Sequence, residues 1–265
     1  MNTALLSALK SLLNAVLTVA AVIGLWYALL EFGDLEPMVV KNPQDVFAYL
    51  FTDAEAGEHR SVLWDGLSQT LSDAAIGYGA GLAAAVLVAM AFILSRVVEQ
   101  SFMPIAMILR SVPLVAMTPV LTLVFGRGLM ATTVITGIVV FVPALVNMVF
   151  GLRSAPSQAA DLVRAYGGGT GTVLRKVMLP SAMPAFFLSA RISVPGALVG
   201  AMLAEWLATG KGLGQAMLRS TNNFKYAELW SSVVAITVAS MVLYGLVAVA
   251  EKAVLRRFGP TPDAH

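Results

Sequence analysis

Few residues in this chain are equipped for chemistry, and their spacing excludes most of what they could do. Cysteine is absent, which removes disulfides, thiolate metal sites and a thiol nucleophile together. Imidazole is available only at His59, in a charged stretch, and at the terminal His265. Metal or histidine-based catalysis is therefore not expected. Gly167–Thr172 reads GGGTGT and could pass for a phosphate loop. A Walker motif, however, ends in Gly-Lys-Ser/Thr, to aim the lysine at phosphates and the hydroxyl at magnesium. No lysine follows Gly171, and the next one is Lys176. Gly77-Tyr78-Gly79-Ala80-Gly81 opens like a dinucleotide fingerprint but lies in an apolar run with no strand before it. No catalytic residue, no metal and no cofactor is therefore expected in this chain, and nucleotide chemistry would require a separate protein.

Four ionisable residues remain that stand at or inside apolar stretches: Asp73, Arg110, Arg191 and Glu205. Charge at the centre of a bilayer costs about 2.5–3.5 kcal/mol on insertion scales, so such residues face a polar cavity or sit near an end. Arg110 and Arg191 can snorkel or form a structural ion pair; the alternative is that they line an anion route. Glu205, near the end of its stretch, suits a structural or gating role better than direct substrate contact. Pro113, Pro119, Pro143 and Pro195 interrupt apolar helices and bend them, and Pro113 and Pro195 could equally be static bends or kinks beside a pathway.

The elements that would hold these residues are set by composition. Hydrophobic residues make up 58% of the 265 and charged residues 12%, with a mean hydropathy of +0.82. A soluble domain carries about 25% charged residues, so this surface has to meet lipid. A disordered chain, a collagen and an ordinary cytosolic enzyme are excluded. The 17 basic and 15 acidic residues are scattered, and no nucleic-acid face is implied. A crossing needs about 20 mainly apolar residues. Six stretches qualify, at 12–30, 66–94 (uncharged over Ala74–Leu94), 102–125, 129–150, 185–208 and 230–250. The expectation is an all-α, polytopic membrane protein with six transmembrane helices in a single domain. The first stretch is too long for a signal core and lacks a small-residue cleavage site, so it reads as an uncleaved anchor. Small residues at Gly77 and Gly81, and again at Gly196 and Gly200, would let helix backbones approach closely.

Orientation follows from Lys and Arg in the short loops. With the N-terminus inside, the inner set is Lys10, Arg96, Arg153, Arg164, Arg175, Lys176, Lys252, Arg256 and Arg257. The outer set is smaller: Lys41, Arg60, Arg127, Lys211, Arg219 and Lys225. Both termini are thus expected in the cytoplasm. Residues 31–65 form a polar extracytoplasmic segment with a helix near Asp45–Phe51 capped by Asn42-Pro43, and 153–184 form a cytoplasmic loop.

That loop runs PSQAADLVRAYGGGTGTVLRKVMLPSAMP from Pro156. A helix starts after Pro156, places Ala159, Leu162, Val163 and Tyr166 on one face, and stops at Gly167 to Gly169, since glycine takes the left-handed geometry of a helix end. A second short helix, Thr172–Met178, is expected to end before Pro180. Physics alone leaves two readings open, an interfacial helix on headgroups and a docking knob for a partner.

The same stretch resembles the "EAA" loop of permease subunits in bacterial ATP-binding-cassette (ABC) importers. That pattern is Glu-Ala-Ala, three residues, Gly, nine residues, Ile, one residue, Leu-Pro. Gly167, Val177 and Leu179-Pro180 match its spacing, Asp161 stands at the Glu position, and Leu162 and Val163 replace the alanines. Arg110–Gly128 (RSVPLVAMTPVLTLVFGRG) and Gly200–Met217 (GAMLAEWLATGKGLGQAM) are similar to segments of the nitrate/sulfonate/taurine branch of these permeases, with Glu205 and Gly212-Leu213-Gly214 in register. The resemblance covers about four-fifths of the chain. It implies the type I importer permease (MetI-like) fold and an inner-membrane location. It also implies two ABC ATPase subunits that bind ATP and magnesium, a second permease (identical or different) and an extracytoplasmic substrate-binding protein. Asp161, Leu162, Val163, Arg164, Tyr166, Gly167, Leu179 and Pro180 would couple to the ATPase, while Arg110, Pro113, Arg191, Pro195 and Glu205 are candidates for the pathway or gate. The substrate would be a small solute such as a sulfonate, taurine or nitrate, or a pyrimidine-type vitamin precursor. A secondary transporter driven by an ion gradient would need midplane carboxylates and commonly an internal repeat, and neither is visible.

Overall fold

The computed structural model describes residues 2–33, 36 and 38–258; His265 lies outside them, as do the side chains of Lys10 and Arg257. Every regular element among the described residues is a helix: α1 Asn2–Phe32, α2 Pro43–Phe47, α3 Ala56–Leu94, α4 Arg96–Ser111, α5 Leu114–Phe125, α6 Leu129–Arg153, α7 Ser157–Ala165, α8 Thr170–Val173, α9 Leu179–Ala204, α10 Gly212–Asn222 and α11 Tyr226–Phe258. Single π-helical turns at Ala48–Thr52, Leu174–Met178 and Glu205–Thr209 extend α2, α8 and α9. The chain divides into two compact units, Met1–Trp64 with Met217–Val234, and Asp65–Ala216 with Ala235–His265.

In the first unit α1 is apolar over Val16–Phe32, and Trp26 stacks on Trp230 with ring centroids 5.4 Å apart. The Trp230 Nε1–H donates to the Val39 carbonyl at 3.1 Å. As expected, Asn42 caps α2. Its Oδ1 accepts from the Asp45 N–H (2.9 Å), Asp45 Oδ2 accepts from the Asn42 N–H (3.0 Å), and Pro43 fills the first turn. Tyr49 stacks on His59 at 3.8 Å, and His59 Nδ1 lies 2.8 Å from the Tyr49 carbonyl, which requires a proton on that nitrogen. Burial pushes the Tyr49 hydroxyl up to about 12, with Glu228, Asp53 and Glu55 adding in the same direction.

The second unit is built around α6, which packs extensively on α9 and also meets α3. Ala85, Ala89 and Phe92 of α3 join Val140, Leu145, Met148 and Leu152 of α6 and Ala190 and Ala197 of α9 in one buried cluster. The small-residue pairs do what the sequence suggests. A Cβ on Gly77 would overlap Thr136, and one on Gly81 would stand 2.7 Å from the Gly137 carbonyl oxygen. From the other side a Cβ on Gly200 would stand 2.9 Å from the Thr136 Cα, and one on Gly196 3.0 Å from Val139 Cγ1. Thr136, wholly buried, is therefore held between two glycine faces. Without water to drive association in lipid, such backbone proximity is the main source of helix–helix attraction.

Four helices among the described residues are long and apolar enough to cross a bilayer: Ala56–Leu94, Leu129–Arg153, Thr170–Thr209 and Tyr226–Arg256. The expected third span at 102–125 is not one helix. α4 and α5 are bent by 110° at Ser111–Pro113. Val112 precedes proline, is driven out of the α region, and is extended at φ −82°, ψ 127°. At 1.5 Å per residue the two arms are about 24 and 18 Å long, so the pair is a broken span or a re-entrant loop rather than one straight helix. Pro143 and Pro195, by contrast, sit inside unbroken helices. The loop also differs from expectation at Pro180, where the second helix does not end. The π turn Leu174–Met178 carries the chain on, with the Leu179 N–H bonded to the Leu174 carbonyl, and Pro180 stands just after that wider turn inside the continuous helix Thr170–Thr209.

Candidate functional site

The hook between α6 and α9 is closed by its glycines. Gly167 takes φ +84°, its N–H donates to the Arg164 carbonyl (2.9 Å), and the Gly168 N–H donates to the Val163 carbonyl (2.9 Å). These are the two bonds of a Schellman motif, which needs a left-handed residue at the Gly167 position. One face of α7 turns inward, with Ala159, Ala160 and Val163 packing on Val173, Val177 and Met178. The other face is bare. Leu162 is 59% and Tyr166 86% exposed, and beside them the Arg164 guanidinium donates to Asp161 at 3.1 Å, both side chains in the open. Leu162 and Tyr166 therefore part from Ala159 and Val163, with which the sequence pattern groups them. Leu179 packs on the main buried cluster and Pro180 is exposed at the root of α9.

The pathway candidates are dispersed. Arg191 Nη1 pairs with Glu251 at 3.1 Å and its guanidinium lies 5.4 Å from the Tyr244 ring centroid, so it ties α9 to α11. Arg110 is exposed in the last turn of α4, just before the Pro113 break. Glu205 is wholly buried. It accepts from the Gly214 N–H at 2.7 Å, while the neighbouring Trp206 Nε1–H donates to the Gly214 carbonyl at 2.5 Å. Thr70 of α3 completes the clamp, accepting from the Leu213 N–H at 2.9 Å and lying against the Glu205 carboxylate. A Cβ at Gly212 would overlap that carboxylate, and one at Gly214 would stand 2.8 Å from it. The Gly-Leu-Gly motif is thus the imprint of a buried glutamate. The sequence carried Glu205 and the glycines as signals but nothing that pointed to Thr70 or Trp206.

Residues 64–259 match the family of binding-protein-dependent transport system inner membrane components. The chain belongs to that family. It is a multi-pass inner-membrane protein and an ABC importer permease subunit, not itself an enzyme. The permease is 28% identical over 233 residues to a probable ABC transporter permease protein of Haemophilus influenzae, covering 88% of this chain and 93% of that one. It is 28% identical over 164 residues to the formylaminopyrimidine transport permease protein of Halalkalibacterium halodurans, covering 62% and 66%. It is 26% identical over 208 residues to the taurine transport system permease protein of Escherichia coli, covering 78% and 75%. Among solved structures, the inward-facing MetNI methionine ABC transporter shares the fold, with a TM-score of 0.60 and 20% identity over 79% of this chain and all of that one.

Proposed function

We propose that the permease forms half of a transmembrane pathway, and that the hook at 153–184 is where a separate ABC ATPase grips it. The observation that carries this is the exposed face of Asp161, Leu162, Arg164 and Tyr166, set on a helix closed by Gly167 and Gly168 and rooted in α9 without a break. A push on that face passes along Thr170–Thr209 as one rod and, through Ser154–Pro156, into α6. Because α6 and α9 are packed against each other over most of their length, they move as the pair that changes the cavity's exposure. The excess of Lys and Arg on this side supports a cytoplasmic hook and cytoplasmic termini. Two ATPase subunits, a second permease and an extracytoplasmic binding protein complete the assembly. The hook's coupling set is Asp161, Leu162, Arg164 and Tyr166 at the surface, with Val163, Gly167, Leu179 and Pro180 shaping it.

Reversing charge in Arg164→Glu, or straining the left-handed turn in Gly167→Trp, tests this directly. Co-purification of the ATPase, its hydrolysis rate and solute uptake are measured separately. The expected result is lost docking, or hydrolysis without uptake; variants that assemble and transport like the wild type refute the assignment.

For the substrate, the likeness to a taurine permease supports a small organic or inorganic anion such as a sulfonate. The likeness to a formylaminopyrimidine permease supports a pyrimidine-type precursor as a second reading. What the companion binding protein retains from a thermal-shift panel containing both classes decides between them.

A further inference from the structure

At the Leu129 end of α6, opposite the hook, Gln69, Asp73, Arg127, Thr132, Thr209 and Lys211 line a recess of about 310 Å³. Ligand pockets begin at about 300 Å³, so it has room for a small solute only. Its two cations are presented alike. Arg127 stands between Gly126 and Gly128, and Lys211 between Gly210 and Gly212. Gly126, Gly210 and Gly212 have φ of +78°, +67° and +84°, a region that glycine enters without strain. Among the described residues neither cation takes part in an ion pair. The Lys211 turn is also fixed in advance, since Glu205 and Trp206 grip Gly214 and Thr70 grips Leu213 just beyond it. The Arg127 turn is pinned by the Thr132 N–H and hydroxyl, which donate to the Gly128 carbonyl at 3.2 and 3.3 Å. Opposite in sign, Asp73 is 5% exposed and accepts from Gln69 Nε2 at 3.1 Å.

We propose that this recess binds a small amphoteric solute, with its anionic group on Arg127 and Lys211 and an N–H donor on Asp73. The inference rests on the importer reading above and narrows its substrate class. A buried carboxylate beside two unpaired cations repels a bare anion on one side and attracts it on the other. A solute that carries an amino group as well satisfies both, and its donor replaces water that Asp73 gives up on burial. Preorganised turns add selectivity because the backbone that carries the two cations is already ordered, which leaves only their side chains to settle on binding.

The test uses the permease with its ATPase in lipid nanodiscs and three probes: taurine, which has sulfonate and ammonium; ethanesulfonate, which lacks the amine; and nitrate. Calorimetric titration is expected to show saturable taurine binding at least tenfold tighter than ethanesulfonate, with nitrate weakest. Asp73→Asn should remove the advantage of taurine. Arg127→Gln and Lys211→Gln, both at exposed turns, should each weaken both sulfonates at least fivefold while elution profile and ATPase co-purification stay those of the wild type. Absence of saturable binding for all three probes, equal binding of taurine and ethanesulfonate, or variants that bind unchanged would overturn the proposal. Should hydrolysis remain coupled through the hook while taurine fails to bind, the recess assignment falls and the importer reading stands.

Discussion

Alanine at Gly168 is the sharpest probe of the hook. Its Cβ would lie 2.6 Å from Val163 Cγ1 and 2.7 Å from the Val163 carbonyl oxygen. The methyl can rotate away, but that oxygen is the acceptor of the Gly168 N–H at 2.9 Å, so relief means losing the bond. The companion bond from the Gly167 N–H to the Arg164 carbonyl goes with it. Two such bonds contribute about 1–3 kcal/mol together, and each 1.4 kcal/mol is tenfold in an equilibrium. A nine-residue helix such as α7 has little stability of its own to absorb that loss. Gly168→Ala should therefore speed amide exchange over 157–168 about tenfold or more. In proteoliposomes holding the full complex, uptake per ATP hydrolysed should fall at least fivefold. Gly169→Ala is the control, because a Cβ there meets nothing within 4 Å. Unchanged exchange in Gly168→Ala would refute the packing argument. Fast exchange with unchanged coupling would refute the hook's role as a lever.

Glu205→Ala should cost about 2–4 kcal/mol, from a cavity and an unpaired Gly214 N–H, read as detergent-phase thermal unfolding; Glu205→Gln keeps an acceptor and should lose less than half as much. Gly81→Ala drives a methyl into the Gly137 carbonyl and should destabilise by about 1–3 kcal/mol, whereas Gly79→Ala, with open space around it, should be near neutral in the same assay. Removing one partner of the half-buried Arg191–Glu251 pair should cost about 1–3 kcal/mol, and the exchanged pair Arg191→Glu with Glu251→Arg should regain part of it; a swap no better than either single change would show that the charges do not meet. Tyr49 holds its proton more tightly folded than unfolded, so the stability it adds is present below pH 10.0 and declines as pH rises toward about 12. Tyr49→Phe should flatten that alkaline slope in chemical unfolding.

Much of the fold is legible because lipid imposes a composition. The uninterrupted helices Leu129–Arg153 and Tyr226–Arg256 sit where apolar runs of bilayer length stand in the chain. The hook's turn is legible too, because left-handed backbone at Gly167 leaves its mark as a residue type. A hydropathy window, however, registers how apolar a stretch is and not its direction, so 102–125 reads as one continuous stretch although the chain bends by 110° at Ser111–Pro113. Periodicity likewise places Leu162 and Val163 on a common apolar face, yet only the neighbour they meet sends Val163 inward to Val173 and leaves Leu162 bare.

By itself, then, the order of residues determined the helical class, the apolar lengths and the glycine stops, all properties of single residues or of neighbours a few positions apart. Tertiary structure alone decided that Glu205 answers to Gly214 and Thr70, that Arg191 answers to Glu251, and that Arg127, Lys211 and Asp73 share one recess. The physical reason is distance along the chain. Thr70 and Leu213 are separated by 143 positions, and no local propensity encodes a partner so remote; it is selected when the glycine faces of α3 and α9 close on α6 and bring the ends of the helices together.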